Sequence, residues 1–129
     1  MIYAYFQLIK ILMAVSFFLL FGATLFYLFC VDRLIRFEYK NYKDEWIKDG
    51  KPYGYYWTSR ESTFWQGCSS REACSKKWLE EKPDWIQQDP KAIDLLNRLH
   101  RSKWFMYFSL SIWGALFLVF LLFERAGVK

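Results

Sequence analysis

Two stretches without a single charged residue govern what this chain can fold into: residues 11 to 31, ILMAVSFFLLFGATLFYLFCV, and residues 104 to 123, WFMYFSLSIWGALFLVFLLF. Each approaches the ~20 residues that a helix needs to cross ~30 Å of hydrocarbon. Backbone amides in lipid must be satisfied within their own segment, so helix is the conformation expected of both. The alternative, two core helices of a soluble protein, fails on mass, because 129 residues leave too little polar chain to wrap them. Whole-chain averages hide this. Charged residues make up 24% and mean hydropathy is -0.02, values that suit a soluble domain only because charge and apolarity are segregated along the chain. The first stretch exceeds the apolar core of about 7–15 residues usual in a cleaved signal peptide. Bulky Phe29 directly before Cys30 also argues against lipoprotein processing, so an uncleaved anchor is expected.

Orientation follows from the basic residues. Arg33, Arg36, Lys40 and Lys43 follow the first stretch, and Arg98, Arg101 and Lys103 precede the second. Beyond the stretches stand only Lys10 on one side, and Arg125 and Lys129 against Glu124 on the other. Lysine and arginine close to span ends favour the cytoplasmic side. The expectation is a multi-pass protein of the cell inner (plasma) membrane, with residues 1–10 and 124–129 facing outward and the loop in the cytosol. The net charge of +5 is then a topology signal. A nucleic-acid partner is excluded, because acidic residues alternate with the basic ones throughout the loop.

The loop itself reads as helical at both ends. From residue 32 to 49, Leu34 or Ile35, Tyr39, Tyr42 and Trp46 fall on one helical stripe. Gly50 is then a C′ residue and Pro52 a stop. At the other end Asp89 is an N-cap and Pro90 a first helical residue. Ala92, Leu95, Leu96 and Leu99 make a second stripe over 90–103, and no helix breaker occurs before Gly114. The fold class expected is an all-α membrane protein: two transmembrane helices extended into an antiparallel cytoplasmic helical hairpin. A small aromatic-rich cap at 50–89 closes it. Within the cap, Ser69 with Glu72 has capping-box spacing for a short helix from Ser70 to about Glu81. Trp46, Trp57, Trp65, Trp78 and Trp85 are the candidate packing and interaction residues. Arg33, Arg36, Arg98, Arg101 and Lys103 are the candidate basic residues of the membrane interface, where anionic headgroups attract them.

Little in the sequence carries chemistry. No phosphate-binding glycine loop, nucleophile elbow or HExxH appears, and no ionisable residue lies deep in either apolar stretch. The expectation is a protein that is not an enzyme and has no catalytic, cofactor-binding or metal-binding residues. Cys68 and Cys74 form a C-x5-C pair, which leaves inert thiols, a disulfide, and redox or metal sensing open. Small residues at Ser111, Gly114 and Ala115, with Gly22 and Ala23, offer a face for close helix approach. Two function classes follow. One is an interaction factor or accessory subunit whose partners are the lipid bilayer and either a second copy or a larger membrane-protein complex. The other is a thiol-based redox or metal sensor using Cys68 and Cys74.

The segments EWIKDGKPYGYYW, carrying Trp46, Gly50 and Pro52, and DPKAIDLLNRLHRSKWF, carrying Asp89, Leu95, Leu96 and Arg98, resemble the universal stress protein B family of small two-span bacterial membrane proteins. The order of span, long loop and span extends the likeness over most of the chain. The resemblance implies a bacterial inner-membrane protein with an envelope-stress or stationary-phase role, and it brings no catalytic residues. The CSSREAC segment departs from that pattern.

Overall fold

The computed structural model describes residues 1–127. Lys129, counted above among the tail charges, lies outside the described residues. Five helices account for the architecture: α1 (Ile2–Asn41), α2 (Lys43–Lys48), α3 (Phe64–Glu80), α4 (Asp84–Gln88) and α5 (Pro90–Arg125). There is no strand among the described residues. α1 and α5 are the two helices long and apolar enough to cross a membrane. They are longer than the apolar stretches alone, because nothing in the flanking sequence breaks a helix. Residues 2–10 are helical rather than a separate leading segment, and α5 runs on to Arg125 before Gly127 turns with φ +74°.

The chain divides into two compact units, one of Met1–Leu25 with the chain from Lys103 onward, the other of Phe26–Ser102. In the first, α1 and α5 meet through Phe6, which stacks on Phe120 at 5.4 Å and leans on Phe123 at 6.3 Å. Ser16, Ala23 and Ser109 are the small residues buried there. Gly22 and Gly114, expected at the close approach, face open space instead, and Ser111 is exposed. Hydroxyls in this unit are satisfied within their own helix, Ser16 donating to the Met13 carbonyl at 2.9 Å and Thr24 to that of Leu20 at 2.8 Å. Serine and threonine in a helix commonly bond back to a carbonyl one turn earlier in this way.

In the second unit all five helices converge on one core. α1 supplies Cys30, Val31, Leu34 and Ile35, α2 supplies Trp46, and α3 supplies Cys74 and Trp78. Trp85 and Ile86 come from α4, and Ala92, Leu96 and Leu99 from α5. The expected continuous helix over 32–49 is interrupted. Tyr42 leaves helical geometry at φ -135°, ψ 53°, and α2 begins one residue later. The cause is tertiary: the Tyr42 ring packs 4.9 Å from Trp85, and its hydroxyl donates to Asp89 at 2.8 Å. The break lets α2 turn Trp46 into the core, where its indole N–H donates to the Pro52 carbonyl at 3.1 Å. Gly50, at φ +86°, then reverses the chain in a conformation that side chains resist.

α3 begins earlier than the Ser69–Glu72 spacing suggests. Thr63 is the N-cap, its side chain accepting from the Gln66 amide, so the helix starts at Phe64. α5 begins as expected, with the Asp89 carboxylate accepting from the Lys91 amide at 2.9 Å and Pro90 in the first helical position.

Candidate functional site

The five tryptophans singled out by sequence do not share one environment. Trp46 and Trp78 are fully buried and Trp85 nearly so. Trp57 packs against the same core, with its ring 5.0 Å from Tyr39. Trp65 is 82% exposed beside exposed Phe64. Four of the five are therefore architecture, and only Trp65 is on the surface. The indole N–H groups of Trp78 and Trp85 have no hydrogen-bond partner among the described residues.

The core unit also holds a feature that the sequence reading passed over. Glu38 of α1 is fully buried, and its carboxyl faces that of Asp49, the C-cap of α2. As two carboxylates the pair has no donor between them, and both Glu38 oxygens and the second oxygen of Asp49 would be unpartnered. A proton on Glu38 supplies the missing donor. Burial, then the hydrogen bond and charge of Asp49, push Glu38 up to about 9, so Glu38 keeps its proton at neutral pH. Lys77 of α3 completes the cluster, its ammonium 2.6 Å from Asp49 Oδ1. The hydrogen bond to Asp49 raises the Lys77 ammonium above its ordinary range. Three helices are thereby joined through one buried polar cluster.

Cys74 belongs to this cluster. It is buried, its thiol donates to the Asp49 carbonyl at 3.5 Å, and burial followed by the Asp49 charge pushes it well above the usual thiol range. Such a thiol carries almost no nucleophilic thiolate. Cys68 lies half-buried on the same helix, six residues earlier. A rise of ~1.5 Å per residue sets the two Cα atoms at least ~9 Å apart along the axis, beyond the ~7 Å limit for a disulfide. The structure does not bring the C-x5-C pair together, and no cluster of ligating side chains suited to a metal occurs among the described residues.

A second buried carboxylate organises the loop after α2. Asp32, the first residue past the uncharged stretch of α1, accepts from the amides of both Tyr55 and Tyr56, the latter at 2.7 Å. The chain can come this close only because residue 54 is glycine, since a Cβ there would fall 2.6 Å from the Asp32 carboxyl. Arg71 of α3 closes the arrangement from outside, stacked 3.8 Å over the Tyr55 ring and bonded to the Gly54 carbonyl at 3.2 Å.

Arg33, Arg36 and Lys40 are exposed on α1 and make no ion pair among the described residues. Arg98 is exposed on α5 and bonds Asp94 one turn back at 2.9 Å, and Arg101 is exposed above it. Lys103, in the other unit, lies 5.8 Å over the Tyr107 ring. Sequence reasoning found these cations and missed Asp32, Glu38 and Asp49. A comparison of the chain with family models, curated proteins and solved structures returns no match.

Proposed function

We propose that this chain is a non-enzymatic integral protein of a bacterial inner membrane. Its two spans form an antiparallel hairpin, and the loop between them, the aromatic-rich cap included, lies on the cytoplasmic side. There it acts by protein or lipid interaction as an accessory subunit or stress-tolerance factor. One observation carries the membrane part of the reading. Only 11% of the most apolar window of α1 and 6% of that of α5 is buried within the protein. A core helix of a soluble protein would bury most of its apolar surface, so these two need another apolar solvent. The distribution of lysine and arginine supports the cytoplasmic loop. The likeness to the universal stress protein B family supports the stress-tolerance role. Trp57, Trp78 and Trp85 of the cap pack into or against one core, a framework suited to presenting a fixed binding surface.

The test is topological. Reporter fusions at the C-terminus and within residues 58–70 should be active on opposite sides of the membrane, with the loop fusion cytoplasmic. A loop reporter active outside the cytosol would overturn the orientation. Release of the whole protein by an alkaline carbonate wash would overturn membrane insertion itself.

A further inference from the structure

Two depressions on the 26–102 unit share three residues. A narrow apolar slot is lined by Phe26, Phe29, Cys30, Arg33, Leu95 and Arg98. A shallower, more open basin, edged by charged side chains, is lined by Arg33, Phe37, Pro90, Lys91, Asp94, Leu95 and Arg98. Arg33, Leu95 and Arg98 form the sill between them. The order of residues along α1 explains the change of character. Phe26, Phe29 and Arg33 are spaced at i, i+3 and i+7, so they lie on one stripe. That stripe passes out of the uncharged stretch between Cys30 and Arg33. Phe26 is 52% and Phe29 48% exposed, so the slot opens on the apolar surface of the stretch and not on the core.

The chemistry of the sill is specific. The Arg33 guanidinium lies 5.8 Å over the Phe29 ring and has no carboxylate partner among the described residues. Arg98 has one, Asp94, which is itself exposed and leaves donors of the guanidinium fork unused. Two arginines facing one opening make a seat for a phosphodiester, which a guanidinium grips with paired hydrogen bonds. Directly below that seat is an aromatic slot. Directly above it are the ammonium of Lys91 and the carboxylate of Asp94, groups suited to a hydroxylated headgroup.

We propose that the Arg33–Arg98 sill is a binding site for one anionic glycerophospholipid. The phosphodiester sits between the two guanidinium groups, an acyl chain lies along Phe26 and Phe29, and the headgroup occupies the basin beside Lys91 and Asp94. This rests on the membrane reading above. It goes beyond a general attraction of basic residues to anionic lipid, because it names one seat and excludes the other exposed cations from it.

The test is electron paramagnetic resonance of the full chain in bilayer nanodiscs of phosphatidylcholine, with spin-labelled phosphatidylglycerol or spin-labelled phosphatidylcholine as the probe. Wild type should hold a motionally restricted phosphatidylglycerol population with several-fold preference over phosphatidylcholine. Arg33→Gln with Arg98→Gln should bring the preference close to unity, since each such cation at an anionic surface is worth a factor of about five. The charge-matched pair Arg60→Gln with Lys76→Gln, both exposed and lining neither depression, should leave it unchanged. Equal loss in the two pairs would reduce the effect to bulk charge and overturn the site, as would an absence of preference in wild type. Wild type carries a further arm that does not depend on variants folding. Excess glycerol 3-phosphate should fail to displace the labelled lipid, and displacement would show a plain phosphate site instead of a lipid site. If the membrane reading itself were wrong, neither label would show a restricted component and the protein would wash off in carbonate, which is a different result from insertion without selectivity.

Discussion

Between Met1 and Leu25, α1 buries three side chains: Phe6, Ser16 and Ala23. Between Phe26 and Asn41 the same helix buries Cys30, Val31, Asp32, Leu34, Ile35 and Glu38. The poorer half is the more apolar one. Apart from Phe6, its phenylalanines and most of its leucines are exposed, and Phe6 makes aromatic contacts that join it to α5. The richer half is amphipathic, buries two acids with its apolar residues, and is closed over by three shorter elements. The contrast teaches that apolar content and internal packing are separate quantities. Where hydrocarbon is the surrounding medium, the hydrophobic effect asks for little side-chain burial within the protein, and small residues with a few ring contacts suffice. Where water surrounds the unit, the core must be dense, and any acid inside it must be answered by a donor.

Four experiments break or sharpen this contrast. The largest effect is expected from Trp46→Ala. It empties a fully buried site and removes the bond to Pro52, at a cost of ~3–5 kcal/mol. Denaturant unfolding followed by near-UV circular dichroism should show loss of the 26–102 signal. A variant as stable as wild type would mean that the unit is not held by its core.

Next is Asp32→Ala, which leaves two amides of the Tyr55–Tyr56 turn without their acceptor. Because the freed amides belong to exposed residues that can turn to water, the loss should be about 1.5–3 kcal/mol in all. Limited proteolysis should cut the chain near residues 54–57 in the variant and spare it in wild type.

Glu38→Gln tests the buried acid and should act in the opposite direction. In the folded unit Glu38 keeps its proton up to about 9, whereas in the unfolded chain it ionises near 4.5. Folding therefore takes up a proton between these values, and stability falls as pH rises through that window, levelling off above it. The variant removes this dependence. It should match wild type near the lower bound and exceed it near neutral pH by on the order of 2–3 kcal/mol. A difference that does not change with pH would show that Glu38 is not carrying the proton.

The smallest pair of effects separates the cysteines. Cys74→Ser puts a hydroxyl into the core beside Asp49 and should cost about 1–3 kcal/mol. Cys68→Ser, half-buried on α3, should lie within about 0.5 kcal/mol of wild type. Equal costs would contradict the burial difference between them.

How much of this was legible in the sequence depends on the range of each signal. Local signals were read correctly where one pattern stood alone: the uncharged stretches, Asp89 with Pro90, and Gly50 before Pro52. Where two patterns competed the wrong one was taken. Thr63-Phe64-Trp65-Gln66 has the same capping spacing as Ser69 with Glu72, and only the docking of Tyr53 through its amide on the Gly67 carbonyl distinguishes them in the structure. Signals that depend on distant partners were invisible. The break at Tyr42 is set by Trp85 and Asp89, more than forty positions away in the chain. Glu38 stands in a run of alternating charges, RFEYKNYKDE, where an acid is ordinarily solvated. What buries it is a kink that brings Asp49 back over it, and periodicity carries no trace of that. The C-x5-C spacing suggested a pair only while its backbone was undefined; on a helix the same six-residue separation holds the thiols apart.

The two acids of α1 also set how the chain can change in length. Asp32 is gripped by the Tyr55 and Tyr56 amides, and Glu38 is paired with Asp49. Six residues separate these grips, a span of about 9 Å along the helix axis. One inserted residue between them would swing one grip by about 100° relative to the other and draw it ~1.5 Å further off, so that only one could remain engaged. If the apolar stretch before Leu25 spans a bilayer as proposed, a similar insertion there changes chiefly the length of hydrocarbon that the helix can match, at fractions of a kcal/mol per Å. Relatives of this chain should therefore vary in the length of the first span and keep the interval from Asp32 to Glu38 constant, as a ruler is fixed between two clamps.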